Sequence, residues 1–108
     1  MLSELHERCY SCFLLGNWGR EEFDRAQPGL SFIQYFNDIL LSGDCGYLKP
    51  DEKIFELAEK KFNLIPENSV FIDDREENVQ AAINRNWNGI VFKNPRQLYL
   101  TLMEFDIL

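Results

Sequence analysis

Asp73 and Asp74 stand side by side directly after the apolar triplet Val70-Phe71-Ile72. Two adjacent carboxylates at a strand end offer the hard oxygen ligands that suit Mg²⁺, which takes one or two acids and completes its shell with water or phosphate. An acid in that place also commonly caps the next helix, and one of the pair can cap while the other faces the crevice. Lys49 precedes Pro50 at the mouth of a helical pattern. A lysine fixed beside a proline can hold its ammonium against a phosphate or carboxylate group, although lysines in general are exposed surface residues. Cys9 and Cys12 form a C-x-x-C with His6 three residues before it. A structural zinc wants four ligands, and Cys45 is distant in sequence. A redox pair wants its first thiol at a helix N-terminus, whereas this pair runs from a helix end into a strand. The three cysteines, odd in number and without a secretory signal, therefore read as buried, inert, reduced thiols.

These groups are positioned by alternating elements. Residues 11–15, 38–42, 70–72 and 89–92 are short apolar runs without polar alternation, the pattern of strands buried on both faces. Ile54, Leu57, Ala58 and Phe62 repeat at helical spacing, as do Val79, Ala82 and Ile83. Pro50-Asp51-Glu52 opens the first helix with an N1-type proline and acids at its positive end, and Lys60-Lys61 close it. Asp74 with Glu77 suggests a capping box for the second, and Asn86 suits the left-handed position that ends it. Pro95 starts a third helix with Leu98, Leu102 and Phe105 on one face. Strand and helix in this alternation imply an α/β fold with an open parallel sheet of about four strands and flanking helices. Ligands of such sheets gather beyond the carboxyl ends of the strands, which selects Gly16-Asn17-Trp18, Gly43-Asp44, Asp73-Asp74 and Lys93-Asn94.

The composition narrows the function classes. The 108 residues carry 18 acidic against 11 basic side chains, a net charge of -7, and 45 % apolar residues, which describes a globular chain with no basic stripe for a nucleic-acid backbone. Cations are better partners. The longest apolar run is a few residues, as in Cys12-Phe13-Leu14-Leu15, too short to span a bilayer. The first eight residues lack the basic and apolar regions of a secretory signal. The expectation is one cytoplasmic domain over residues 1–108, without repeats, linkers or an inserted cap domain.

Longer motifs add a resemblance. The stretches S-G-D-C-G-Y-L-K-P-D-E-K-I-F from Ser42 and F-I-D-D-R-E-E-N-V-Q-A-A from Phe71 are similar, in wording and spacing, to the third and fourth motifs of the haloacid dehalogenase (HAD) superfamily of hydrolases. Leu14-Leu15-Gly16-Asn17-Trp18 resembles its second motif, and the likeness runs from about Leu5 to Phe105. It implies a Rossmann-like sheet. It also implies that Lys49 holds the nucleophile and the phosphoryl oxygens, that Asp73 and Asp74 coordinate Mg²⁺, and that Gly16 and Asn17 lie in the phosphate-binding region. In such enzymes a carboxylate on the first strand attacks phosphorus and water hydrolyses the resulting aspartyl-phosphate.

Three departures accompany the likeness. No Asp-x-Asp, the family's opening motif, occurs in the 108 residues, so the nucleophile and general acid have no counterpart. Gly16 stands where relatives carry a phosphate-binding hydroxyl, and Asn86 stands where they usually have glycine, which asparagine can imitate at positive φ. The resemblance thus implies a truncated HAD-like sheet. The expectation is a non-catalytic scaffold or interaction module with a weak metal site, or else a Mg²⁺-dependent phosphatase-type hydrolase completed by a second chain. Without the first strand, either residues 11–15 pair directly with 70–72 or another chain fills the space. The expected partner is a second copy, with residues 1–15 near the interface, or a complementing HAD-like segment.

Overall fold

The computed structural model describes all 108 residues, which divide into two compact units, Met1–Lys49 and Pro50–Leu108. In the first, helix α1 (Leu2–Glu7) ends where Cys9 takes a left-handed φ of 64°. Strand β1 (Phe13–Gly16) pairs in parallel with β2 (Asp38–Leu41), in the register Phe13↔Asp38 to Gly16↔Leu41. A parallel pair needs a crossover, here α2 (Arg20–Ala26) and two 3-10 turns, Gln27–Gly29 and Ser31–Tyr35. The short helix α3 (Ser42–Cys45) follows β2 and stops at Gly46, whose φ of 85° is left-handed. Phe23, Leu40 and Leu41 are the buried apolar side chains of this unit.

The second unit runs α4 (Glu52–Lys61), a 3-10 turn (Pro66–Asn68), β3 (Val70–Asp73), α5 (Glu76–Asn84), β4 (Asn88–Val91) and α6 (Pro95–Glu104). β3 and β4 are parallel, from Val70↔Asn88 to Asp73↔Val91. Ile54, Phe55 and Ala58 of α4 are buried at helical spacing, as are Val79 and Ala82 of α5. Phe55, Phe71 and Trp87 meet edge to face, with ring centres 5.2–6.2 Å apart, the arrangement that aromatic quadrupoles favour. Gly89 is required for the close approach of β4 to α5: a Cβ there would lie 2.6 Å from Val79 Cγ1 and 2.9 Å from Ile83 Cγ1.

The chain is therefore α/β with four parallel-paired strands and flanking helices, laid out as two two-stranded sheets. Several local expectations are corrected. β1 starts at Phe13, because Cys12 instead exchanges bonds with Asn37: its N–H donates to Asn37 Oδ1 (2.8 Å), and its carbonyl accepts from Asn37 N (2.6 Å). β3 is not buried on both faces: Phe71 is 7 % exposed and Ile72 is 37 % exposed, because successive residues of a strand face opposite ways and the aromatic cluster covers only one. Pro50 is not N1 of α4. Asp51 is the N-cap, accepting from Lys53 N at 2.9 Å, since an acceptor that satisfies an orphan N–H outweighs a proline's fixed φ.

The Asp74/Glu77 capping box does not form. Arg75 is the N-cap of α5 without a side-chain cap bond. Asn86 does take the left-handed conformation, φ 69°, one residue past the C-cap Arg85. In α6, Leu98 and Leu102 are buried, but Phe105 lies beyond the last turn and is exposed. The thiols are not buried as a set: Cys9 is exposed and Cys12 and Cys45 are half-buried, all three free. Burial pushes the Cys12 thiol up from its ordinary value, which keeps it protonated. No helix is long and apolar enough to cross a membrane.

Candidate functional site

The carboxyl ends of β1 and β2 place the first group of site residues. Gly16 closes β1 and Asn17 follows it. The Asn17 side-chain amide spans the backbone of Lys49: Oδ1 accepts from Lys49 N at 2.8 Å, and Nδ2 donates to Lys49 O at 3.2 Å. Asn17, which follows β1 and Gly16, is thus joined to Lys49. Asn17 is exposed and Lys49 half-buried.

The S-G-D-x-G stretch that leads to Lys49 has a structural reason at each step. Ser42 Oγ and Gly43 N both donate to the Trp18 carbonyl, at 3.3 and 3.0 Å. A Cβ on Gly43 would lie 2.6 Å from Gly19 Cα and 3.0 Å from Arg20 N, so only glycine lets the start of α3 lie against residues 19–20. Asp44 pairs with Arg20 through both carboxylate oxygens, which raises the Arg20 pKa further. Gly46 then turns the chain through positive φ. Beside Gly16 lies a cavity of about 290 Å³, walled by Leu14, Trp18, Phe23, Leu30, Phe32 and Leu41.

In the second unit the end of β3 presents Asp73 and Asp74. Asp73 Oδ1 accepts from Arg75 N at 2.9 Å, and its Oδ2 accepts from Asn78 Nδ2 at 3.2 Å. Asp73 is half-buried and Asp74 exposed. Asn78 was given no role from sequence, yet it is 2 % exposed and fixes one oxygen of the acid. Its signal was a polar residue beside Val79 on the apolar face of a helix, where it must find a partner. Arg75 Nε donates to Glu77 Oε1 at 2.8 Å. The Glu77 carboxyl is held below its ordinary value first by its own backbone N–H and then by Arg75.

The donors at Asp73 and Asp74 fit a hard cation. Both Asp73 oxygens accept hydrogen bonds, and Asp74 follows at the same strand end. No group of three or more His, Cys, Asp or Glu side chains gathers to hold a metal, so any ion there would draw on these two acids and water.

Comparison with known proteins bears on this geometry. The sequence pattern of the haloacid dehalogenase-like hydrolase family matches residues 1–92. The chain belongs to this family. Its fold recurs in a hydrolase from Streptococcus pneumoniae (TM-score 0.81, 17 % identity, 94 % of this chain and 52 % of that one). A predicted HAD-like hydrolase from Porphyromonas gingivalis superposes as well (TM-score 0.81, 23 % identity, 96 % and 55 %). A HAD family enzyme from Bacteroides thetaiotaomicron, solved with magnesium and inorganic phosphate, gives a TM-score of 0.78 at 22 % identity over 91 % of this chain and 54 % of that one. The chain therefore spans about half the length of these HAD relatives.

Proposed function

We propose that these 108 residues carry a HAD-type lysine and a HAD-type acid pair without the nucleophile, so that the chain is no catalyst on its own and serves as a scaffold or interaction module with a residual Mg²⁺ site. The observation that carries this reading is the absence of any Asp-x-Asp from the sequence, since an aspartyl-phosphate cannot form without an attacking carboxylate. Gly16 adds no hydroxyl for a phosphate oxygen. Lys49 would supply positive charge for an anion, and Asp73 and Asp74 would hold Mg²⁺. The ion, when bound, would offset the charge of a phosphate group.

The module reading draws support from apolar surface. Trp18 and Phe32, which line the cavity, are 41 % and 40 % exposed, and Leu48, Ile65 and Ile72 are exposed as well. Groups of this kind suit a second copy of the chain or a complementing HAD-like segment. A cytoplasmic setting agrees with three free thiols. One observation favours the second reading, a Mg²⁺-dependent phosphatase completed by another chain: Lys49 and Asp73 keep hydrogen-bond partners, Asn17 and Asn78.

Titration calorimetry with MgCl₂ tests the metal side. Two carboxylates and water should give a dissociation constant of about a millimolar, and Asp73→Ala should abolish the binding. Micromolar affinity, or binding that survives Asp73→Ala, would contradict it.

A further inference from the structure

We propose that Asn17 is a positioning residue for Lys49, acting as a two-point clamp on its backbone rather than as a phosphate ligand. The proposal rests on the reading of Lys49 as the anion-binding lysine of this chain. The clamp is specific in geometry. A carboxamide has one acceptor and one donor end. Here the acceptor takes the Lys49 N–H at 2.8 Å, and the donor reaches the Lys49 carbonyl at 3.2 Å. Both backbone groups of one residue turn toward one partner only when that residue is extended, as in the reciprocal pairs of an antiparallel ladder.

Pro50 supplies that condition, because the residue before a proline is driven from helical to extended ψ. Asn17 and Pro50 therefore act together on the two torsions that aim the Lys49 side chain, Pro50 by sterics and Asn17 by hydrogen bonds. The consequence lies in where flexibility is removed. Lys49 sits in the turn that follows α3 and Gly46, and the clamp ties that turn to the residue after β1, 32 positions earlier. A lysine tied in this way presents its ammonium from a fixed base, so less order is lost when an anion binds.

Nuclear magnetic resonance on the 108-residue chain, with inorganic phosphate as probe, tests this through two signals. The first is exchange protection of the Lys49 amide, and the second is the shift of the Lys49 ε-methylene on titration with phosphate. Asn17→Ala should cut Lys49 amide protection about fivefold, the equivalent of one net hydrogen bond, and should weaken the phosphate midpoint by a similar factor, while amides of the β1–β2 ladder keep their protection. Asn17→Asp retains the acceptor and should restore most of the amide protection. Unchanged Lys49 protection in Asn17→Ala would overturn the proposal, as would an equal loss across β1 and β2, which would mark a general structural role. A Lys49 methylene that never responds to phosphate, with the amide still responding to Asn17→Ala, would sink the anion-binding reading and leave the clamp standing.

Discussion

Glu59 shows how much one side chain of this chain can carry. Arg85 donates to both of its oxygens, Nε at 2.8 Å and Nη2 at 2.7 Å, and Trp87 Nε1 donates at 2.7 Å. The forked pair is the strong form of such a bond, and it seats the indole that packs on Phe55 and Phe71. Glu59→Ala should cost about 2–4 kcal/mol, because it takes two bonds from a part-buried guanidinium, which keeps its bond to the exposed Glu52, and strands a buried indole N–H, measured as a shift in urea midpoint. The Arg85 hydrogen bonds hold the Glu59 carboxyl below its usual 4.5, against the opposing effect of burial and with help from Trp87. A carboxyl depressed in the folded state stabilises at pH above its unfolded value and loses that contribution as the pH falls through the folded one. The difference in midpoint between the wild type and Glu59→Gln should therefore be full at pH 7 and shrink below about 4.5; a difference independent of pH would show that the charge of Glu59 is not what matters.

At the scale of elements, Gly89 sets the spacing of β4 from α5. Gly89→Ala would place a methyl 2.6 Å from Val79 Cγ1, and overpacking of this kind costs about 1–3 kcal/mol, read as a lowered melting temperature with the aromatic cluster otherwise intact. An unchanged melting temperature would mean that α5 shifts freely. The three helices of the second half were legible because Ile54 and Ala58, Val79 and Ala82, and Leu98 and Leu102 repeat at helical spacing, and the strands because the apolar runs 70–72 and 89–92 stand between them. Their ends were less so. Asp51 displaced Pro50 as the start of α4, and Asp73 rather than Asp74 took the hydrogen bonds ahead of α5, because several acids near a helix start offer the same chemistry and only three-dimensional reach selects one. The crossover between β1 and β2 was hidden, since α2 buries a single residue, Phe23, and so shows no periodicity. The candidate site was legible in residue type at Lys49, Asp73 and Asp74. The partners that hold Lys49 and Asp73, Asn17 and Asn78, are related to them by folding and not by any local pattern.

For the whole molecule, two-stranded parallel sheets leave backbone edges that proteins rarely keep open, and apolar groups such as Ile72 and Trp18 lie exposed. A two-fold pairing of chains would cover both. Light scattering at high micromolar concentration should report about twice the 12.8 kDa of one chain, and a clean monomer mass would remove the homodimer from the account. The central claim is chemical: lysine and acids are present and the attacking carboxylate is not. The direct measurement is steady-state hydrolysis of p-nitrophenyl phosphate by the purified 108-residue chain with Mg²⁺ in excess. The expected result is no turnover above the rate in buffer with Mg²⁺ alone. Sustained hydrolysis that disappears in both Lys49→Ala and Asp73→Ala would contradict it, by showing that these residues work with a nucleophile inside this chain.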